Sequence, residues 1–285
     1  MDSRHILITG GAGYIGSYLS GNLTKNGYRV TCVSRSIEGN KSNICVDLTD
    51  QNAVFKLANK LSTVDTIIHC AAIAHGEKPP KNYSIASFNT KITKNLLNAF
   101  ASHRLHWIFM SSISVYGDVY TESQIPIIFS PESSDSYGSA KLCDENLLIS
   151  RCEHLDILRL MPVYDSKNLQ DIKKRVYLPK TNIKIMINPS PLYSICNIKN
   201  VLSAVQNSMN HSSGQRITQV GDAEAVSQKE LTTWFSGKAI LIPQSVFKLT
   251  SFLLPKKFKF FKNVAFMLKK IGLDNTYEIG VKEIK

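Results

Sequence analysis

Thr9-Gly-Gly-Ala-Gly-Tyr-Ile-Gly16 stands between an apolar run, His5 to Thr9, and a stretch of helical periodicity, Gly13 to Asn26. Each of the three spaced glycines has a task. The first permits a tight turn, the second lets backbone approach a pyrophosphate, and the third lets the helix lie close on its strand. The helix that opens there offers N–H groups and the positive end of its dipole to an anion. Alone, the stretch reads equally well as an ordinary Gly-rich turn; the strand before it and the helix after it favour the phosphate-holding reading. Gly10, Gly13, Tyr14, Ile15 and Gly16 are therefore candidate contacts for a dinucleotide.

Outward from this loop, short β-like runs alternate with helical stretches. The runs are His5 to Thr9, Arg29 to Ser34, Asn43 to Val46, Thr66 to Cys70, His106 to Met110 and Leu155 to Leu160. Between them Gly13 to Asn26, Gln51 to Leu61, Ser84 to Ser102 and Ser136 to Arg151 repeat apolar residues at three- and four-residue steps. Such a series predicts an α/β fold, a doubly wound parallel sheet of the Rossmann type over residues 1–164. Beyond Pro162, prolines at 179, 189, 191, 243 and 255 punctuate short segments. Residues 165–285 are expected to form a small discontinuous substrate-binding annex, with about 192–215 returning to the sheet.

Composition bounds the rest. With 285 residues, 43% hydrophobic and 20% charged, the chain is neither disordered, collagenous nor a coiled coil. The most apolar stretch, Ile240 to Leu254, is interrupted by Gln244 and Lys248, too early for a membrane-spanning helix. Six scattered cysteines without a CxxC pair read as free thiols, and no signal-peptide pattern precedes the first strand, so a cytoplasmic location is expected. No metal-ligand spacing is present. The net charge of +12 is uneven, ten Lys facing only Asp274, Glu278 and Glu283 over residues 238–285. In that tail Phe252, Phe258, Phe260, Phe261 and Phe266 interleave with lysines. A half-buried helical cap is the favoured reading, and contact with anionic lipid the less favoured one. The lack of Arg argues against a nucleic-acid face.

Two segments carry chemistry. Ser111-Ser-Ile-Ser-Val-Tyr-Gly117 follows the fifth run, and Tyr137-Gly-Ser-Ala-Lys141 opens a helix with Tyr and Lys one turn apart on one face. An ammonium beside a phenol favours phenolate, which suits proton exchange near neutral pH. Ser112, 25 residues upstream of Tyr137, could bond the same substrate oxygen. At the end of the second run, where an acidic residue would take the adenosine ribose hydroxyls, stand Ser34, Arg35 and Ser36. A guanidinium there pairs with a ribose 2′-phosphate, which favours NADP over NAD. Asp47 and Leu48 are positioned for the adenine edge, although a helix-start role explains the acidity there equally well.

Together these residues resemble the extended short-chain dehydrogenase/reductase family, in its nucleotide-sugar epimerase, dehydratase and ketoreductase branch. The resemblance implies that Ser112, Tyr137 and Lys141 are catalytic. It also implies that Cys70, Ala71 and Ala72, in the His69-Cys-Ala-Ala72 loop, run along the cofactor, that Asn89 supports its nicotinamide half, and that Lys141 holds the nicotinamide ribose. Leu158-Arg-Leu-Met-Pro-Val-Tyr164 resembles the branch's LRxxxVYG segment. Departures fall on the substrate side: Pro162 replaces an Asn, Tyr193 falls where an Arg takes the diphosphate, Lys199-Asn200 replaces an Asp pair and Asp165 a Gly. Arg216, Lys180 and Lys184 are read first as surface charges, and His75 as an exposed loop histidine. The leading expectation is an NADP-dependent ketoreductase acting on a nucleotide-diphosphate sugar in surface-polysaccharide precursor synthesis. Alternatives are an NAD-dependent 4-epimerase with the same trio and a non-catalytic dinucleotide-sensing protein. A homodimer is expected from the resemblance.

Overall fold

In a computed structural model, residues 4–35, 43–73, 78–117, 124–133, 136–178, 181–253, 268–269 and 271–284 are described. Along the first half run β1 (His5–Thr9), α1 (Tyr14–Lys25), β2 (Arg29–Ser34), β3 (Asn43–Cys45), α2 (Gln51–Lys60), β4 (Thr66–His69), α3 (Ile85–Ala99) and β5 (His106–Ser112). A 3₁₀ turn over Ile113–Tyr116, then α4 (Ser136–Arg151) and β6 (His154–Leu160), complete the alternation. Strands pair in the order β3-β2-β1-β4-β5-β6, all parallel. Strand order reverses between β1 and β4, and a crevice opens there at the carboxyl ends of the strands.

The strands are near-continuous apolar runs because both faces are covered. Leu7, Ile67, Trp107, Phe109 and Ile157 point to one face, with Val54 and Leu57 of α2 and Leu96 of α3. Ile6, Ile8, Ile68, Ile108 and Leu158 point to the other, with Leu19 and Leu23 of α1. Neighbouring residues therefore serve opposite layers, each burial worth about 1.5–3 kcal/mol. Starts are fixed locally: Asp50 caps α2 by accepting from the Asn52 and Ala53 amides, and Ser84 and Ser87 form a reciprocal capping pair on α3.

The second half runs β7 (Val163–Tyr164), α5 (Gln170–Val176), β8 (Ile185–Asn188), β9 (Leu192–Tyr193), β10 (Cys196–Asn197), α6 (Ile198–Met209), β11 (Gln215–Val220), β12 (Val226–Ser227), α7 (Gln228–Thr233), β13 (Ile240–Pro243), α8 (Gln244–Leu253) and β14 (Gly280–Ile284). β11 joins the main sheet beside β6, and β14 closes that edge antiparallel to β11. The part in the sheet thus reaches Val220 and takes in a strand from the far end of the chain. Residues between form short strand pairs over a small core of Ile172, Val176, Tyr193 and Leu231. Among the described residues no helix is long and apolar enough to cross a membrane. The cysteines described are all free. The Phe and Lys residues of 254–267 lie outside the described residues.

At the opposite, amino end of the strands, buried Asp156 accepts from His106 at 2.6 Å and His211 at 3.3 Å, and also pairs with Arg216. Burial opposes its charge, yet His106 and Arg216 hold its carboxyl below the ordinary range. Arg216 is thereby a structural ion-pair partner rather than a solvated surface charge.

Candidate active site

A cavity of about 500 Å³ lies at the reversal of strand order. Its floor is the glycine loop: Gly10, Gly13, Tyr14, Ile15 and Gly16 line it, flanked by Cys70 and Ala72 from the loop after β4. Gly10 holds φ at +71°, and a Cβ there would sit 2.9 Å from the Ala71 amide nitrogen, so only glycine fits. The first turn of α1 has no side-chain cap and no acidic residue, which leaves its N–H groups to an anion. Loop and helix end together fit a dinucleotide pyrophosphate.

The same cavity is lined by Ser112, Tyr137 and Lys141. Ser112 ends β5, where its hydroxyl accepts from the Ser114 amide at 3.1 Å and starts the 3₁₀ turn. Tyr137 lies in the first turn of α4, and that turn is close to Ser114 because the next residue is glycine: a Cβ on Gly138 would overlap the Ser114 carbonyl oxygen. Lys141 is 3% exposed, donates to the Met110 carbonyl at 2.7 Å, and sits 4.6 Å from the Phe109 ring centre and 6.0 Å from that of Tyr137. Burial pulls its ammonium below the usual lysine range, opposed chiefly by Asp144. Cys70 is pushed up to about 12 by burial, against the pull of Lys141.

Other candidates sit off the cavity wall. The Arg35 guanidinium lies 5.9 Å from the Phe88 ring centre on an exposed surface. Asp47 accepts from the amide and hydroxyl of Thr49 at 2.8 and 2.7 Å, the turn that leads into α2. Leu48 is core, and its carbonyl accepts from Asn95. Ser34 is buried at the end of β2, while Ala71 and Asn89 shape the loop after β4: Ala71 N–H donates to Thr9 and Ile73 N–H to Asn89 at 2.8 Å. Ser36, His75 and Lys180 lie outside the described residues.

Behind the wall runs a buried polar network. Arg159 grips Glu145 through Nε (3.0 Å) and Nη2 (2.7 Å) and donates to the Tyr116 hydroxyl at 2.8 Å. Ser111 donates to Glu145 at 2.5 Å, and Gln219 reaches Tyr116 at 2.7 Å.

At the annex end the wall includes Asn168, Asp171, Lys174 and Arg175 from α5 and the turn before it, with Asn275 and Tyr277. None of these six belongs to a motif that the sequence marks. A signal existed for α5, where Lys173-Lys174-Arg175 is the densest basic run before the tail. Lys174 pairs with Asp171 at 2.5 Å, both about half exposed. Tyr193, aligned with a diphosphate-binding Arg, is instead buried, donates to the Ile271 carbonyl, and has the Arg175 guanidinium 5.2 Å from its ring centre. Lys184 is not a surface charge: it is buried and donates to the Thr232 and Phe235 carbonyls. Asp165 accepts from the Lys167 and Asn168 amides at 2.7 Å, closing a turn.

A doubly wound sheet with a glycine-floored cleft and a Ser-Tyr-Lys wall defines a dinucleotide-binding protein of the short-chain dehydrogenase type. Residues 6–165 match the NAD dependent epimerase/dehydratase family, and the chain belongs to it. A probable UDP-arabinose 4-epimerase of Oryza sativa is 34% identical over 172 residues, which are 51% of this chain and 40% of that relative. The chain thus spans well under half the length of such curated relatives. Two solved structures share the fold. The ADP-L-glycero-D-manno-heptose-6-epimerase of Helicobacter pylori gives a TM-score of 0.69 at 22% identity, covering 85% of this chain and 86% of that one. A UDP-glucuronic acid 4-epimerase of Bacillus cereus, in complex with NAD, gives 0.66 at 22%, covering 84% and 87%.

Proposed function

We propose that the protein is an NAD-dependent epimerase of nucleotide sugars, inverting a carbon that bears a hydroxyl. The observation that carries the reading is the convergence of Ser112, Tyr137 and Lys141 on the cavity floored by the glycine loop. Of the two catalytic readings the sequence allows, the similar proteins named as epimerases favour inversion over net reduction. NAD rather than NADP is favoured because the Bacillus cereus neighbour holds NAD.

Gly10, Gly13 and the α1 N-terminus would hold the pyrophosphate, and Lys141 the nicotinamide ribose. A bound nicotinamide supplies a hydride acceptor and donor. Tyr137 takes the proton from the sugar hydroxyl and later returns one to the oxygen at the same carbon. Ser112 orients that oxygen. Lys141 lowers the cost of charge on Tyr137. Inversion needs both faces of the sugar to meet the same reacting atom, so the annex must grip the nucleotide rather than the sugar ring. Lys174 and Arg175 suit the diphosphate.

Purified protein with NAD and a panel of UDP-sugars tests this by proton NMR. Inverted sugar with no net change in nicotinamide absorbance is expected, and Tyr137→Phe should abolish it while retaining dinucleotide binding. Stoichiometric consumption of NADPH with a keto sugar nucleotide would replace this reading by the ketoreductase.

A further inference from the structure

Helix α4 buries a face of charges. Lys141, Asp144 and Glu145 are 3%, 1% and 1% exposed, at positions i, i+3 and i+4 of one helix. An ammonium out of water is costly unless an opposite charge accompanies it. Glu145 is gripped at both oxygens by Arg159, so its charge is already matched. Cys70 is held as a neutral thiol, its titration pushed up to about 12 by burial, so it adds no charge near neutral pH. His69, buried between Thr9 at 2.7 Å and Thr93 at 3.2 Å, is kept neutral by burial and by Lys141 itself. The Met110 carbonyl accepts one hydrogen bond but carries no charge. Asp144 remains.

Asp144 packs between α4 and α3, where the hydroxyls of Thr90 and Thr93 favour its ionised form. Its Oδ1 accepts no hydrogen bond among the described residues, which is costly for a buried carboxylate with no counter-ion. The two unmatched charges lie one helical turn apart on the same buried face of α4. We infer that Asp144 is the counter-charge that keeps Lys141 an ammonium inside the protein, and that it acts on Tyr137 through Lys141. The functional half of the inference rests on the catalytic reading of Tyr137 and Lys141 above. Asp144 is a positioning residue, since it does not line the cavity. Burial raises its own carboxyl to about 6, with Lys141 the main opposing influence, so at neutral pH most of the carboxyl is ionised.

Two substitutions test the pair in the full-length chain labelled with ¹³C at Lys Cε and Asp Cγ. In Asp144→Asn, Lys141 should lose its proton at least about one pH unit lower than in the wild type, a tenfold change in its ionisation equilibrium. The alkaline limb of kcat should move down with it. A merely structural role would lower kcat without shifting that limb. In Lys141→Met, the Asp144 carboxyl should titrate above its wild-type midpoint, because coupling between two sites is reciprocal. An unmoved Lys141 titration in folded Asp144→Asn overturns the inference. If that variant fails to fold, an unmoved Asp144 titration in Lys141→Met overturns it instead. Neither NMR readout needs turnover, so a wild-type protein that inverts no sugar would sink the proposed function while leaving the coupling between Lys141 and Asp144 intact.

Discussion

Arg159→Met probes whether the network behind the Ser-Tyr-Lys wall is held by a buried ion pair. The guanidinium is 3% exposed and makes three hydrogen bonds, two of them to Glu145, itself 1% exposed. Removing it leaves a buried carboxylate with only Ser111 as donor among the described residues. Breaking such a pair from one side costs about 3–5 kcal/mol, and the lost bond to Tyr116 adds about 1 kcal/mol. Domains commonly have only about 5–15 kcal/mol in total. At ~2–4 °C per kcal/mol, the melting temperature should drop by about 10–20 °C. The assay is urea unfolding at neutral pH, run as a double-mutant cycle with Glu145→Leu. The double variant should be more stable than the sum of the single losses by about 2 kcal/mol or more, because removing both charges leaves none stranded. Additive losses, or single losses under about 1 kcal/mol, would refute the view that these charges depend on one another.

Gly10→Ala forces a Cβ at φ +71° against the Ala71 amide, and should weaken dinucleotide binding at least about tenfold by fluorescence titration, about 1.4 kcal/mol. Lys174→Gln should weaken binding of a UDP-sugar measured by calorimetry without changing dinucleotide affinity; equal UDP-sugar affinity removes Lys174 from the substrate site. Stability should also fall on acidification. Burial, then Lys141, lowers His69 to about 3, and burial, then His106, lowers His154 to about 4, against 6.5 in the unfolded chain. Both are neutral in the fold, so below pH 6.5 the unfolded chain binds more protons and gains ground until about pH 4 for His154 and 3 for His69. Urea unfolding from pH 7 to 5 should show this slope, and His154→Asn should flatten it; an unchanged slope assigns it elsewhere.

How far the sequence could be read depended on whether a signal was local. Glycines 10, 13 and 16 and the Tyr137–Lys141 spacing are local, and they sit together on one cavity. Asp47 was also local, but two chemistries shared the signal: a residue that opens a helix-leading turn looks like one that meets adenine, and here it bonds Thr49. The annex wall was beyond reach for another reason. Asn275 and Tyr277 come to the cavity from a segment more than a hundred residues after Tyr137, and Tyr193 is buried by Ile271 and Arg175, partners that no spacing reveals. Helix α4 shows the limit most sharply. Hydrophobic periodicity assigns charged positions to water, yet α4 turns Lys141, Asp144 and Glu145 inward with Gly138 and Ala140. A fold tolerates such an inversion only where the charges are matched inside: Glu145 by Arg159 and, on the inference above, Lys141 by Asp144. The same face that breaks the pattern rule is the one that brings Lys141 to Tyr137, so the misfit between pattern and packing was itself the mark of the candidate site.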